Sequence, residues 1–152
     1  DRNLNKLLDI WNNKIFPNLK SAKLITTPDK NVIEGNGVKF RIMSSQKELI
    51  GDLLKSRISL IPGHKAELFC LAAEEARELC IPIVTLGIGS LFERVEHEKT
   101  GFIAKNDSEF ADYTIQLFKN DGLWNNIRSN LINLRGSKNW EISTKKFIES
   151  LK

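Results

Sequence analysis

Apolar residues recur along the chain in two rhythms. Leu4, Leu7, Leu8, Trp11 and Ile15 return every three or four residues, which puts them on one helical face. Pro17 is expected to stop that helix, since it restricts the residue before it. Residues 22–26 form a short apolar run before Pro28-Asp29 and read as a strand and turn. Gly35-Asn36-Gly37 reads as a turn, and the alternation over 38–43 as a strand. Leu49, Leu53 and Leu54 predict a helix over 45–55, capped by Ser44 or Ser45. Ile58 to Ile61 is a second buried strand, closed by Pro62-Gly63. A helix rich in Ala and Glu is expected over 68–79, a strand over 82–86 and a loop at Gly87-Ile88-Gly89-Ser90. A short helix over 91–95, a turn at Thr100-Gly101 and a brief strand over 102–104 follow. Asp107-Ser108 reads as the cap of a helix reaching Phe118, and two further helices are expected over 123–134 and 140–151.

Apolar strands thus alternate with amphipathic helices for two thirds of the chain. Strands apolar on both sides belong to a parallel sheet covered on both faces. The expected class is α/β, a Rossmann-like doubly wound parallel sheet with closing C-terminal helices. With 152 residues and 41% hydrophobic content the chain can bury the core of a single domain over 1–152. No apolar run approaches a membrane span, and Asp1-Arg2-Asn3 shows no basic-then-apolar leader.

Net charge is +4, but Lys and Arg alternate with Asp and Glu along most helices. A mixed, solvated surface is the reading, and nucleic acid is not an expected partner. The two cysteines, Cys70 and Cys80, are expected on one helix about 15 Å apart, too far for a disulfide. That pattern suits a cytoplasmic protein.

In open α/β sheets ligands bind beyond the carboxyl ends of the strands. One such end is Pro62, followed by Glu67 at a loop-to-helix junction and Glu75 eight residues on, about 12 Å along a helix. A helix start offers unpaired N–H groups and partial positive charge to a diphosphate. Carboxylates on either side suit paired hydroxyls. The ligand with that layout is a sugar joined through a diphosphate to a ribose.

In order along the chain come Pro62, Glu67, Phe69, Leu71, Glu75-Ala76, Pro82-Ile83-Val84, Gly89 with Glu93, and Thr100-Gly101. Asp107, Trp140 and the strand Val38-Lys39-Phe40 extend the set. This series resembles the C-terminal, donor-binding domain of GT-B retaining glycosyltransferases of family 4 type, also called glycosyl transferases group 1. The resemblance covers nearly the whole chain.

It implies a nucleotide-sugar partner and a hexosyltransferase-type activity completed by an N-terminal acceptor domain, with this chain inactive alone. Glu67 would be the catalytic-site carboxylate holding donor hydroxyls. Backbone N–H groups of Phe69, Cys70 and Leu71 would face sugar and diphosphate, Glu75 the ribose and Met43 the base. Arg2 would stand where the family has a diphosphate-neutralising lysine. No cofactor and no metal is expected. Family habit adds polysaccharide or lipid-linked acceptors in cell-envelope synthesis and peripheral attachment to the inner face of a membrane.

The sequence departs from the family where Leu68 and Cys70 replace glycines around Phe69, and their side chains are expected to narrow the seat. Those losses suit a second reading, a non-catalytic Rossmann-like nucleotide-binding or assembly domain. An unrelated flavodoxin-like module is a third, against which the ordered match argues. His64 and His97 read as solvated loop residues, and Trp11, Trp124 and Trp140 as core packing. Glu93 reads equally as a ligand-loop residue or a carboxylate at a helix start.

Overall fold

Among the described residues every strand pair is parallel, and helices separate the later strands. The computed structural model describes residues 3–27, 35–41, 45–136 and 140–151. Strand β1 (Leu24–Thr26) pairs with β2 (Val38–Phe40), Leu24 opposite Val38. Strands β3 (Ser59–Gly63), β4 (Ile83–Ile88) and β5 (Gly101–Ile103) form a second ladder in that order. The strands hydrogen-bond as two ladders rather than as one continuous sheet.

The alternation of side chains along each strand divides the core in two. Leu60, Val84 and Phe102 turn to one face, with α1 (Leu4–Ile10), α5 (Asp107–Lys119) and α6 (Asp121–Leu134). Ile61, Ile83 and Ile103 turn to the other, against α3 (Leu71–Glu78) and α4 (Leu91–Arg94). Leu53 of α2 (Gln46–Leu54) packs on that second face. Helix α7 (Trp140–Ser150) closes the chain. Fully buried side chains such as Ile10, Phe110, Leu117 and Ile127 each contribute about 1.5–3 kcal/mol by leaving water. This is the doubly wound arrangement expected from the pattern.

Several boundaries differ from expectation. The first helix does not stop at Pro17. It passes through a π-helical turn (Trp11–Ile15) into a 3₁₀ turn (Phe16–Asn18), where Pro17 occupies an initial position that needs no N–H. Pro62-Gly63 does not close β3 but belongs to it. Ile61 pairs with Thr85 and Gly63 with Ile88, so β4 carries one extra residue there. Such an irregularity tolerates a proline inside the ladder. Gly63 has φ 95°, and a Cβ on it would stand 2.7 Å from the Ile88 carbonyl oxygen, so only glycine fits.

Ser45 caps α2, in a reciprocal box with Glu48. Asn106, not Asp107 or Ser108, caps α5: its side-chain oxygen accepts from the N–H groups of Ser108 and Glu109. Asn120 caps α6 in the same way through Leu123.

The main correction is α3, which starts at Leu71 rather than Leu68. Cys80 lies beyond its end at φ 56°. Both cysteines are buried and neither forms a disulfide, as expected, but the reason is different. Cys70 belongs to the core on one face of the sheet and Cys80 to the core on the other.

Candidate active site

The chain leaves β3 at Gly63 and makes a turn before α3. The Glu67 N–H donates to the His64 carbonyl (3.0 Å), and the Ala66 N–H to His64 Nδ1 (3.2 Å). A second turn, Gly89-Ser90, follows the neighbouring strand β4 and locks onto the first. The Ser90 N–H donates to the Glu67 carbonyl (3.0 Å). Gly89 packs so closely, at φ 69°, that a Cβ would meet the His64 carbonyl oxygen at 2.4 Å. Asn3 joins them from the entrance of α1, its side-chain amide donating to the Gly63 carbonyl (2.5 Å). Three distant segments therefore hold Glu67 at the carboxyl ends of β3 and β4.

The later start of α3 changes what its residues offer. Cys70 is the N-cap, and its side chain makes no hydrogen bond to the first turn. That side chain is turned into the core at 1% exposure, so it does not narrow the helix entrance. Leu68 stands in solvent at 90% exposure, and Leu71 at 64%. Neither Leu68 nor Cys70 has a positive φ, so the backbone here does not need glycine. Of the two substitutions for glycine, one points inward and the other outward.

Phe69 is half exposed and carries the Arg94 guanidinium over its ring, 4.0 Å from the centre. Arg94 donates to Glu74 (3.2 Å), and the other Glu74 oxygen accepts from Arg77 (2.8 Å). Arg77 also pairs with Glu78 (2.6 Å). The chain Phe69–Arg94–Glu74–Arg77–Glu78 ties α4 to α3 beside the site. It was not legible in the sequence, because the Glu74-x-x-Arg77 spacing signals only the local pair.

Glu75, one residue on, is not one of the residues of that chain of ion pairs. It is exposed and lines a groove of about 170 Å³ between α2 and α3 with Glu78, Gln46 and Ile50. It lies four residues into α3, about 6 Å along the axis from Leu71. The separation from Glu67 is therefore a turn plus one helical turn, not the continuous 12 Å of helix expected. Gln46 opens α2 shortly after Met43 in the chain. Met43 and Arg2 themselves lie outside the described residues.

The family model for glycosyl transferases group 1 matches residues 27–133, more than half of the chain. The chain belongs to this family. No curated protein matches it. The match takes in β2 to β5, α2 to α5 and most of α6, and so includes the whole Glu67–Glu75 region.

Elsewhere in this glycosyltransferase domain, other expected candidates have structural partners. Asp107, in the first turn of α5, pairs with Lys6 of α1 (2.5 Å). His97 is exposed, as expected, but it is not without contacts. Its Nδ1 accepts from the Ile103 N–H (3.0 Å), and its ring lies edge-on to Phe102 and Tyr113. Trp11 is core, whereas Trp124 lies half-buried between Arg57 and Arg128 and donates to the Arg57 carbonyl (2.8 Å). Glu93 is exposed in the first turn of α4. Among the described residues no group of three His, Cys, Asp or Glu side chains stands at metal-ligand spacing, and no helix is long and apolar enough to cross a membrane.

Proposed function

We propose that the chain is the donor-binding half of a retaining glycosyltransferase and takes a nucleotide-sugar at the turn that holds Glu67. One observation carries this reading. The Glu67 turn lies at the carboxyl ends of two adjacent parallel strands, against a helix start with no side-chain cap and an exposed carboxylate one turn further on. The first-turn amides of α3 would take the diphosphate, where the partial positive end of the helix favours it. Glu67 would accept from sugar hydroxyls and Glu75 from the ribose, while the base would lie toward Gln46 and the segment containing Met43. Arg2 would add a cation to the diphosphate.

In this reading the protein's chemistry is positioning, with stabilisation of the departing diphosphate, and it calls for no cofactor and no metal. The acceptor would meet the donor on an N-terminal domain of the same protein, so transfer would need both halves. A glycan or lipid-linked acceptor at a membrane's inner face fits this scheme.

Calorimetric titration with UDP, GDP and ADP and their sugars tests it. Binding of one nucleotide is expected, with at least about tenfold weaker affinity in Glu75→Ala, equivalent to about 1.4 kcal/mol. If the wild-type chain binds none of these ligands, or Glu75→Ala binds as tightly, the assignment of this groove to the donor is wrong.

A further inference from the structure

The turn that holds Glu67 also fixes a second polar side chain. His64 is the first residue after β3, at the carboxyl end where parallel sheets meet their ligands. Its carbonyl accepts from the Glu67 N–H (3.0 Å), which closes a four-residue turn with His64 first and Glu67 last. The Cα atoms at the two ends of such a turn lie less than about 7 Å apart. The Gly89 backbone packs against the same carbonyl. His64 therefore shares the clamp that positions Glu67.

The side chain is held as well. His64 Nδ1 accepts from the Ala66 N–H (3.2 Å), a bond to the backbone two residues on of the kind that Asn and Asp make in turns. A backbone amide can only donate, so Nδ1 is the acceptor and the neutral ring carries its proton on Nε2. The same bond turns Nε2 away from the backbone of the turn. His64 is exposed, and among the described residues Nε2 has no hydrogen-bond partner. An unanchored loop histidine samples several rotamers. This ring instead presents a single N–H donor to solvent in a restrained direction.

Donor and acceptor on one turn are chemically complementary. An ionised Glu67 can only accept, whereas His64 Nε2–H can only donate. A sugar hydroxyl does both, so a sugar that gives its protons to Glu67 still carries oxygens that need a donor. An oxygen left unpaired when water is displaced lowers affinity. Leu68, beside Glu67 and 90% exposed, offers only apolar surface. Lys65 is exposed too, but among the described residues no hydrogen bond fixes its long side chain. With Nδ1 already engaged, His64 is suited to donate rather than to take a proton.

We infer that His64 is a second ligand of the donor sugar, its Nε2–H donating to a hydroxyl oxygen beside those that Glu67 holds. The inference rests on the reading of the Glu67 turn as the nucleotide-sugar seat. It assigns His64 to the sugar and not to the phosphates. A neutral N–H suits a hydroxyl oxygen, and in that reading the diphosphate lies further along, at the start of α3.

Two substitutions separate sugar binding from support of the turn. In His64→Asn the side-chain oxygen takes the place of Nδ1 and keeps the Ala66 bond, but the donor at the reach of Nε2 is gone. In His64→Gln the longer amide keeps a donor at that reach and gives up the Ala66 bond. Calorimetric titration of each chain compares UDP with UDP-glucose, GDP with GDP-mannose and ADP with ADP-glucose. His64→Asn is expected to weaken the nucleotide-sugar about three- to tenfold, the effect of one neutral hydrogen bond, and to leave the nucleoside diphosphate within about twofold. His64→Gln should bind the nucleotide-sugar more tightly than His64→Asn. A purely turn-supporting histidine gives the opposite order, and that result overturns the inference. An unchanged nucleotide-sugar affinity in His64→Asn overturns it too, as does an equal loss for the diphosphate. NMR of the ring nitrogens should find the proton on Nε2, and a proton on Nδ1 would contradict the geometry. A wild-type chain that binds no nucleotide refutes the donor reading and this inference together. Nucleotide-sugar binding that ignores His64→Asn refutes this inference alone.

Discussion

Gly89→Ala tests the most specific structural claim, that Glu67 is held by a glycine on the next strand's turn. Gly89 adopts φ 69°, a region that costs other residues about 1–3 kcal/mol. The added Cβ would stand 2.4 Å from the His64 carbonyl oxygen and 3.0 Å from that of Glu67. Both are backbone atoms, so one of the two turns must move, at a further cost of about 1–3 kcal/mol. Together these give about 2–6 kcal/mol. For a chain of this size each kcal/mol lowers the melting temperature by about 2–4 °C, so the fall should be about 4–24 °C. Thermal unfolding followed by circular dichroism measures it. Exchange of the Ser90 amide, which donates to the Glu67 carbonyl, reports whether the loss is at this junction. Gly51→Ala is the control: it lies within α2, nothing is within 4 Å of its added Cβ, and helix propensity predicts a gain of about 0.5–1 kcal/mol. A Gly89→Ala chain that melts within about 2 °C of the wild type with Ser90 equally protected would show that this glycine does not hold the turn.

Glu74→Gln should lower stability by about 2–4 kcal/mol, because Arg77 and Arg94, whose side chains are 7% and 16% exposed, lose their shared anion. Glu96→Gln, whose pair with Lys99 is 58% exposed at both ends, should cost less than about 0.5 kcal/mol in the same denaturant titration. A larger loss for the surface pair would invert the argument. Cys70 and Cys80 should be silent toward a thiol reagent in the folded chain and both should react in guanidinium. Rapid reaction of either thiol without denaturant would contradict their burial.

What the sequence made legible was whatever depends on local period. The helical face of Leu7, Leu8 and Trp11 and the apolar strand Ile83-Val84 appear where periodicity places them. Glu67 stands in a turn at a strand end and Glu75 on an exposed helical face. What escaped was decided by contacts between distant segments. Residues 68–70 have the apolar spacing of a helix, yet α3 begins only at Leu71. Arg94 covers Phe69, Cys70 is drawn into the core, and Glu67 is tied to Ser90. These contacts outweigh a weak local preference for one more helical turn.

The same contacts explain why the pattern matters as an ordered set. Glu67 has no fixed position of its own: it takes one from Gly63, Gly89 and Asn3, which lie on three separate segments. A Glu-x7-Glu spacing without those residues would mark only a charged helix. With Gly89 packed against the turn, the position of Glu67 is set by backbone contacts to the next strand's turn rather than by the side chains at 68 and 70. That is why replacing the glycines at 68 and 70 leaves the turn intact, whereas a single methyl group at Gly89 should not.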